Sequence, residues 1–231
     1  MRVGIVWQCG GKLVVVAKLR VHVPGGSRKI ATDIAKVVLK DVQNSLAVSK
    51  APITIGVRKI IAKRLLNSSV VRELERGGQL YGELGVPDAH ARVTNIIRVW
   101  LRGIEVKFTP LKLAGTRISG GLKITAVDAS FKDVLSQGDA TFVTAKSTSL
   151  PWLEWLLMEG SNSIIKDYTV GVHPTRSRTG RLVMVKTSAS SWSVPPEFSG
   201  TMNNNFVTRA MDGAEEEIDK LLSREINKRL K

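Results

Sequence analysis

Few residues in this sequence could do covalent chemistry, and they stand apart. His22, His90 and His173 are isolated. None falls in an H-x-x-x-H or H-E-x-x-H pattern, which would set two imidazoles on one helix face for a metal, so they read as surface or turn residues. Cys9 is the single cysteine, which excludes an intrachain disulfide and a multi-cysteine metal site, and no histidine pattern is present to activate it. Gly10-Gly11-Lys12 lacks the spaced glycines, the Ser or Thr after lysine and the following helix of a phosphate loop. Asp128, Asp133 and Asp139 match no calcium-loop spacing and would serve only a metal-dependent nuclease. Glu215, Glu216 and Glu217 are consecutive, so they point in different directions and form a solvated face. No nucleophile, base and orienting group come together. The sequence therefore predicts a chain that is not an enzyme, with no cofactor and no metal site.

Charge is the stronger chemical signal. The formal net charge is +15. Residues 1–76 carry 15 Lys and Arg against 4 Asp and Glu, whereas residues 77–231 carry 20 against 16, so the basic excess belongs to the N-terminal third. Such a field attracts polyanions, nucleic acid first, without reading sequence. Arg58, Lys59, Lys63 and Arg64 set four cations on adjacent helical turns with no acid nearby in sequence. They are the first candidates to face DNA; Arg176, Arg178 and Arg181, in a polar loop, are the second. A solvated face is the competing reading of both groups. The only aromatic residue in the basic third is Trp7, which argues against an RNA module built on exposed stacking rings.

The elements that must carry these groups follow from periodicity. Residues 3–7 and 13–23 read as two strands about Gly10-Gly11. Ser27 caps a helix from residue 28 to about 48, with Ile30, Ile34, Val37, Val38 and Val42 as its apolar stripe and Arg28, Lys29, Lys36 and Lys40 largely off it. A second helix, over about 55–66, carries the four cations, and Ser69 caps a short one ending before Gly77-Gly78. Asp88 caps a helix after Gly85-Val86-Pro87. Near Arg98 the period changes from 3.6 to 2, so residues 99–108, 118 and 122–127 read as strand, with Gly120-Gly121 a bulge or turn. Ser130 caps a short helix over 131–135, and 141–144, 163–172 and 182–185 are further strands.

Residues 149–160 are the most apolar helical stretch. Pro151 sits in its first turn, Trp152, Trp155 and Leu156 share a stripe, and Gly160 closes it. A helix this apolar and short is a core helix, and part of its Trp surface could serve a subunit contact. Trp192 precedes Pro195-Pro196, and proline chemistry predicts an extended connector over 192–200. A last amphipathic helix runs over about 204–230, about 40 Å long and longer than a small domain needs to cover itself. No apolar run approaches the roughly 18–20 residues that span a bilayer. The first 16 residues faintly resemble a signal peptide, but Gly10-Gly11-Lys12 cuts the apolar run. The expected class is α+β: an antiparallel β-rich body with long amphipathic helices, including a long C-terminal one. The expected regions are 1–85, a basic hairpin and helices; 86–202, a β-rich body holding the Trp helix; and 203–231, the C-terminal helix.

Four segments then resemble a known family as a set. They are Leu150-Pro151-Trp152-Leu153-Glu154-Trp155-Leu156-Leu157, Ser177-Arg178-Thr179-Gly180-Arg181, Trp192-Ser193-Val194-Pro195-Pro196-Glu197-Phe198-Ser199-Gly200-Thr201 and Asn203-Asn204-Asn205-Phe206-Val207-Thr208-Arg209-Ala210. In this order they resemble the neck, or head-completion, proteins of tailed bacteriophages, the head-to-tail connectors. The resemblance implies a structural virion protein at the head–tail junction, assembled in the host cytoplasm. It implies an oligomeric ring of identical subunits that lines or closes a channel for double-stranded DNA. Its neighbours would be portal or adaptor proteins on one side and tail terminator or tail proteins on the other, with no membrane. On that reading Trp152, Trp155, Trp192, Pro195 and Pro196 are packing or interface residues. Residues 1–85 match no pattern of that family. The alternative is a sequence-independent nucleic-acid-binding protein.

Overall fold

The computed structural model describes residues 2–8, 12–20, 28–114, 117–125, 131–144, 147–177, 180 and 182–228. In chain order its elements are β1 (Arg2–Gln8), β2 (Lys12–Arg20), α1 (Arg28–Leu66), α2 (Ser69–Glu75), α3 (Gln79–Leu84), α4 (Ala89–Gly103), β3 (Glu105–Ala114) and β4 (Arg117–Thr125). There follow α5 (Lys132–Leu135), β5 (Phe142–Val143), β6 (Ser149–Leu150), α6 (Trp152–Leu157), β7 (Ile165–Val172), β8 (Leu182–Trp192), α7 (Phe206–Met211) and α8 (Ala214–Asn227). The class is α+β: the described strands pair antiparallel and the helices are separate elements. Among the described residues no helix is long and apolar enough to cross a membrane. The chain forms two compact units, residues 1–60, 101–128 and 213–231 in one and 61–100 and 129–212 in the other.

The first unit contains a four-stranded antiparallel sheet in the order β1-β2-β4-β3. The N-terminal hairpin thus joins a hairpin about 100 residues later through pairs running from Lys12↔Thr125 to Arg20↔Arg117. The β3–β4 register slips between Thr109 and Lys112. Pro110, which has no N–H for a ladder, falls at this bulge. Opposite it Gly120 has φ +132°, and a Cβ there would lie 2.7 Å from the Pro110 carbonyl oxygen, so the position needs glycine. The bulge expected at Gly120-Gly121 is therefore present. The strand expected from residue 99 is not: Val99 to Gly103 stay helical, because Val93, Ile96, Ile97 and Trp100 keep helical spacing and are all buried.

The two helices expected over 28–48 and 55–66 are one. The 39-residue α1 contains Pro52, and at 1.5 Å per residue it is about 58 Å long. Proline cannot donate to the Val48 carbonyl. Burial continues on both sides of it, through Val42, Leu46, Ile53, Val57, Ile61 and Leu65, and holds the helix together. The buried stripe also differs from the expected one. Ala31 and Ala35 are buried, while Ile30, Ile34 and Val37 are exposed. A shift of one residue along a helix is a turn of about 100°, so the larger apolar residues lie on a second face. Within this unit α8 packs closely on α1. Ser49 Oγ donates to the Glu225 carbonyl at 3.3 Å, and a Cβ on Gly56 would lie 2.5 Å from Leu221 Cδ2.

The expected helix over 204–230 is broken. Asn205 caps α7, Gly213 takes a left-handed φ of 73°, and α8 starts afresh at Ala214. In the second unit β8 continues to Trp192 rather than stopping at 185, paired to β7 out to Ile165↔Trp192. The segment after it is a turn, not an extended connector: the N–H groups of Phe198 and Ser199 both donate to the Pro195 carbonyl, at 2.9 and 3.0 Å. Fixed proline φ also suits a turn, and buried Val194 and Phe198 anchor its two ends. Ser68 rather than Ser69 caps α2, accepting from Val71 N at 3.4 Å. Asp88, expected to cap α4, stands before it with a left-handed φ of 51°, and its carbonyl accepts from Arg92 N at 3.1 Å. Two further expected caps, Ser27 and Ser130, and Gly10-Gly11 lie outside the described residues.

Buried Glu225 of α8 accepts from Arg224 Nε at 3.1 Å and Lys228 Nζ at 3.3 Å. The Arg224 hydrogen bond, aided by Lys228 and opposed by burial, holds its carboxyl below the ordinary value. A carboxyl depressed on folding stabilises the fold above its unfolded value and loses that contribution as pH falls through its folded value. Urea midpoints measured from neutral pH into the acid range should therefore fall, and Glu225→Gln should make that fall shallower.

Candidate functional site

The three tryptophans singled out by sequence all lie in the second unit. Trp152, Trp155 and Trp192 are 1, 8 and 6 % exposed. Trp155 and Trp192 meet edge to face, with centroids 6.0 Å apart and planes at 63°. Such aromatic pairs contribute about 0.5–1.5 kcal/mol beyond the area they bury. Two of the buried indole N–H groups find acceptors. Trp152 Nε1 donates to the Asp139 carbonyl at 2.8 Å, and Trp192 Nε1 to Glu83 Oε2 of α3 at 3.0 Å. Trp100 of α4 adds edge contacts to Phe131 and Phe206, at 6.2 and 5.9 Å. The rings therefore fill the unit's own core. Pro195 is half-buried and Pro196 exposed in the turn that follows Trp192.

Asn205 holds this cluster to the rest of the unit. It is fully buried, and its side chain has five hydrogen bonds. Oδ1 accepts from Val207 N and Thr208 N at 3.0 and 3.1 Å, the first turn of α7. Nδ2 donates to the carbonyls of Leu157, Thr201 and Met202 at 3.3, 2.9 and 3.4 Å. Thr208 Oγ1 accepts from Asn205 N at 2.8 Å, completing a capping box. One amide thus joins the end of α6 to the start of α7. Gly200 lies in the same place: a Cβ there would strike the Leu156 carbonyl oxygen and Asn205. The Gly200 carbonyl accepts from Gly160 N at 2.8 Å, where Gly160 has the left-handed φ of 61°. Arg209 reaches back to the Ser199 carbonyl at 3.2 Å. Asn205 escaped the sequence reading, although the spacing of Asn205 to Thr208 ahead of an apolar run carries the cap signal.

The cations divide into two kinds. Arg58 Nη2 donates to the carbonyls of Arg102 and Ile104 at 3.4 and 3.2 Å, at the end of α4. Its Nε is buried without a partner. Arg64 Nη1 donates to the carbonyls of Ala210 and Asp212 at 3.4 and 2.6 Å, at the end of α7. Both guanidinium groups satisfy carbonyls that helix termini leave over. Lys59 and Lys63 are exposed and have no ion pair among the described residues. Arg176 is exposed in a turn closed by the His173 carbonyl. Arg178 and Arg181 lie outside the described residues.

Among the described residues the remaining chemical candidates do not converge. Asp139 accepts from Asn95 Nδ2 at 3.0 Å and lies 3.7 Å from Arg92 Nη1. Arg92 also holds the carbonyls of Pro87, Gly138 and Thr141, which makes the group a structural clip. Asp133 is exposed on α5, His90 Nδ1 lies 3.1 Å from Glu75 Oε1, and His173 is exposed. Cys9, His22 and Asp128 lie outside the described residues. Among the described residues no group of three or more His, Cys, Asp or Glu could hold a metal ion. No protein family, curated protein or solved structure matches the chain.

Replacing Asn205 by Ala removes a helix cap and leaves buried carbonyls without donors, so stability should fall by about 2–4 kcal/mol. Gly200→Ala overpacks the same contact and should cost about 1–3 kcal/mol. Urea unfolding followed by tryptophan fluorescence reads both.

Proposed function

We propose that the chain is a structural virion protein of the tailed-phage neck. In this reading it forms a ring between portal or capsid and tail, and that ring lines or closes the DNA channel. The observation that carries the proposal is the meeting of the described segments behind the resemblance. The Trp helix, the Pro195 turn with Gly200, and the Asn205 cap with Arg209 contact one another in one packed cluster. Residues far apart in sequence resemble the family where they build a shared piece of fold, which supports common structure over chance likeness of short motifs. The cluster holds no reactive arrangement, as suits a structural protein. The net charge of +15 suits a wall that DNA passes.

Electron microscopy of the source virus with antibody against this chain tests the proposal. Label at the head–tail junction is expected. Particles without label would overturn it. The charge also favours a second reading, sequence-independent nucleic-acid binding. In that case the isolated chain binds DNA with an affinity that falls steeply with salt, a slope of about −0.9 per phosphate contact.

The division among the cations makes the DNA role separable from folding. Lys59→Glu with Lys63→Glu changes exposed side chains and should move stability by no more than about 0.5 kcal/mol, while particles carrying it retain or eject DNA abnormally. Arg58→Ala and Arg64→Ala each abandon helix-end carbonyls and should cost about 1–3 kcal/mol. Thermal melts beside DNA-retention assays distinguish the two classes.

A further inference from the structure

The second face of α1 is an ordered row. Ile30, Ile34, Val37, Asp41, Asn44, Val48, Ala51 and Ile55 follow steps of four and three, and all eight are exposed. That is the spacing of a coiled-coil seam, whose apolar positions recur every 3.5 residues. The large apolar members are 40 to 63 % exposed, on a helix whose other face already supplies the core through Ala35, Val42, Leu46, Ile53 and Val57. Exposed apolar side chains set in one row mark a candidate contact surface.

The order of residues indicates which occupant. Reversed end to end, the row matches itself. Laid antiparallel on a second copy, Ile30 meets Ile55, Ile34 meets Ala51, Val37 meets Val48, and Asp41 meets Asn44. Each pair occurs twice about a two-fold axis at the centre, the requirement for an isologous contact. The polar residues coincide at that centre, where an Asn44 amide can donate to the partner's Asp41 carboxylate and exposed Lys40 stands one residue away. A parallel pairing would instead set Asp41 against Asp41. Five large apolar side chains on each of two helices, 40 to 63 % exposed, supply the apolar part of such a contact.

We propose that this face of α1 binds a second copy of the chain as an antiparallel helix pair centred between Asp41 and Asn44. The central polar residues fix register at some loss of stability, as single polar residues do in coiled coils. The pairing is a property of the chain in solution and does not depend on the neck reading.

Sedimentation velocity over a concentration series should show a dimer. Val37→Glu with Val48→Glu places charges in both halves of the seam and should weaken self-association by on the order of a hundredfold, with the helical circular dichroism unchanged. In a Cys9→Ser background, Val37→Cys with Val48→Cys should form interchain disulfides, while Val48→Cys alone should not, because its copies lie on opposite sides of the axis. A monomer at all concentrations, an oligomer indifferent to the two glutamates, or cross-linking by Val48→Cys alone would each overturn the proposal.

Discussion

Every helix end leaves backbone groups without partners, and buried ones must be satisfied or they destabilise the fold by about 1–3 kcal/mol each. In this chain side chains from distant positions meet much of that need. Arg58 reaches the end of α4, Arg64 the end of α7, and Asn205 serves both the end of α6 and the start of α7. Apart from the cap that Asn205 gives its own helix, these bonds close over 44 to 148 residues of sequence, so they are made only once the chain has folded. They also explain why short helices such as α6 and α7, six residues each, persist. Alone, helices of that length are unstable in water.

The same constraint changes what the basic residues can do. A guanidinium presents donors in a fixed fork and suits a pair of carbonyls; a lysine is a single mobile charge. The chain uses two arginines for internal carbonyls and leaves Lys59 and Lys63 in solvent. Sequence spacing alone treats the four as equivalent, because charge and helical period say nothing about a carbonyl about 40 or 150 residues away.

This also marks the limit of what could be read from sequence. The centre of the Trp helix, the N-terminal hairpin and the Gly120 bulge were legible because their causes are local: apolar density, a turn dipeptide, glycine backbone freedom. The ends of the Trp helix were not: Ser149–Leu150 is strand, Pro151 is the cap rather than the first turn, and the helix stops at Leu157, short of Gly160. The continuity of α1 through Pro52 was not, since burial on either side outweighs a local breaker. The break at Gly213 was hidden the other way, as the apolar stripe runs on in register through a glycine that turns left-handed. The Pro195 turn was misjudged because proline φ fits a turn as well as an extended chain, and buried Val194 and Phe198 decide between them. Asn205, the residue with most to do in the site, looked like one of three consecutive asparagines.

Commitment of Arg58 and Arg64 to carbonyls does not lessen the electrostatic case for a polyanion. Carbonyls are neutral, so hydrogen bonds to them leave a guanidinium's charge in place, and Lys59 and Lys63 add to it with no acidic partner among the described residues. Over a distance of about a Debye length, near 8 Å at physiological salt, all four contribute to the field. At contact range only the lysines can move to meet a phosphate. On the proposed neck reading, a passing DNA strand would be attracted by more charge than can grip it. Long, mobile side chains on a rigid helix hold phosphates weakly and interchangeably, which suits a strand that must slide better than one that must be bound at a fixed sequence.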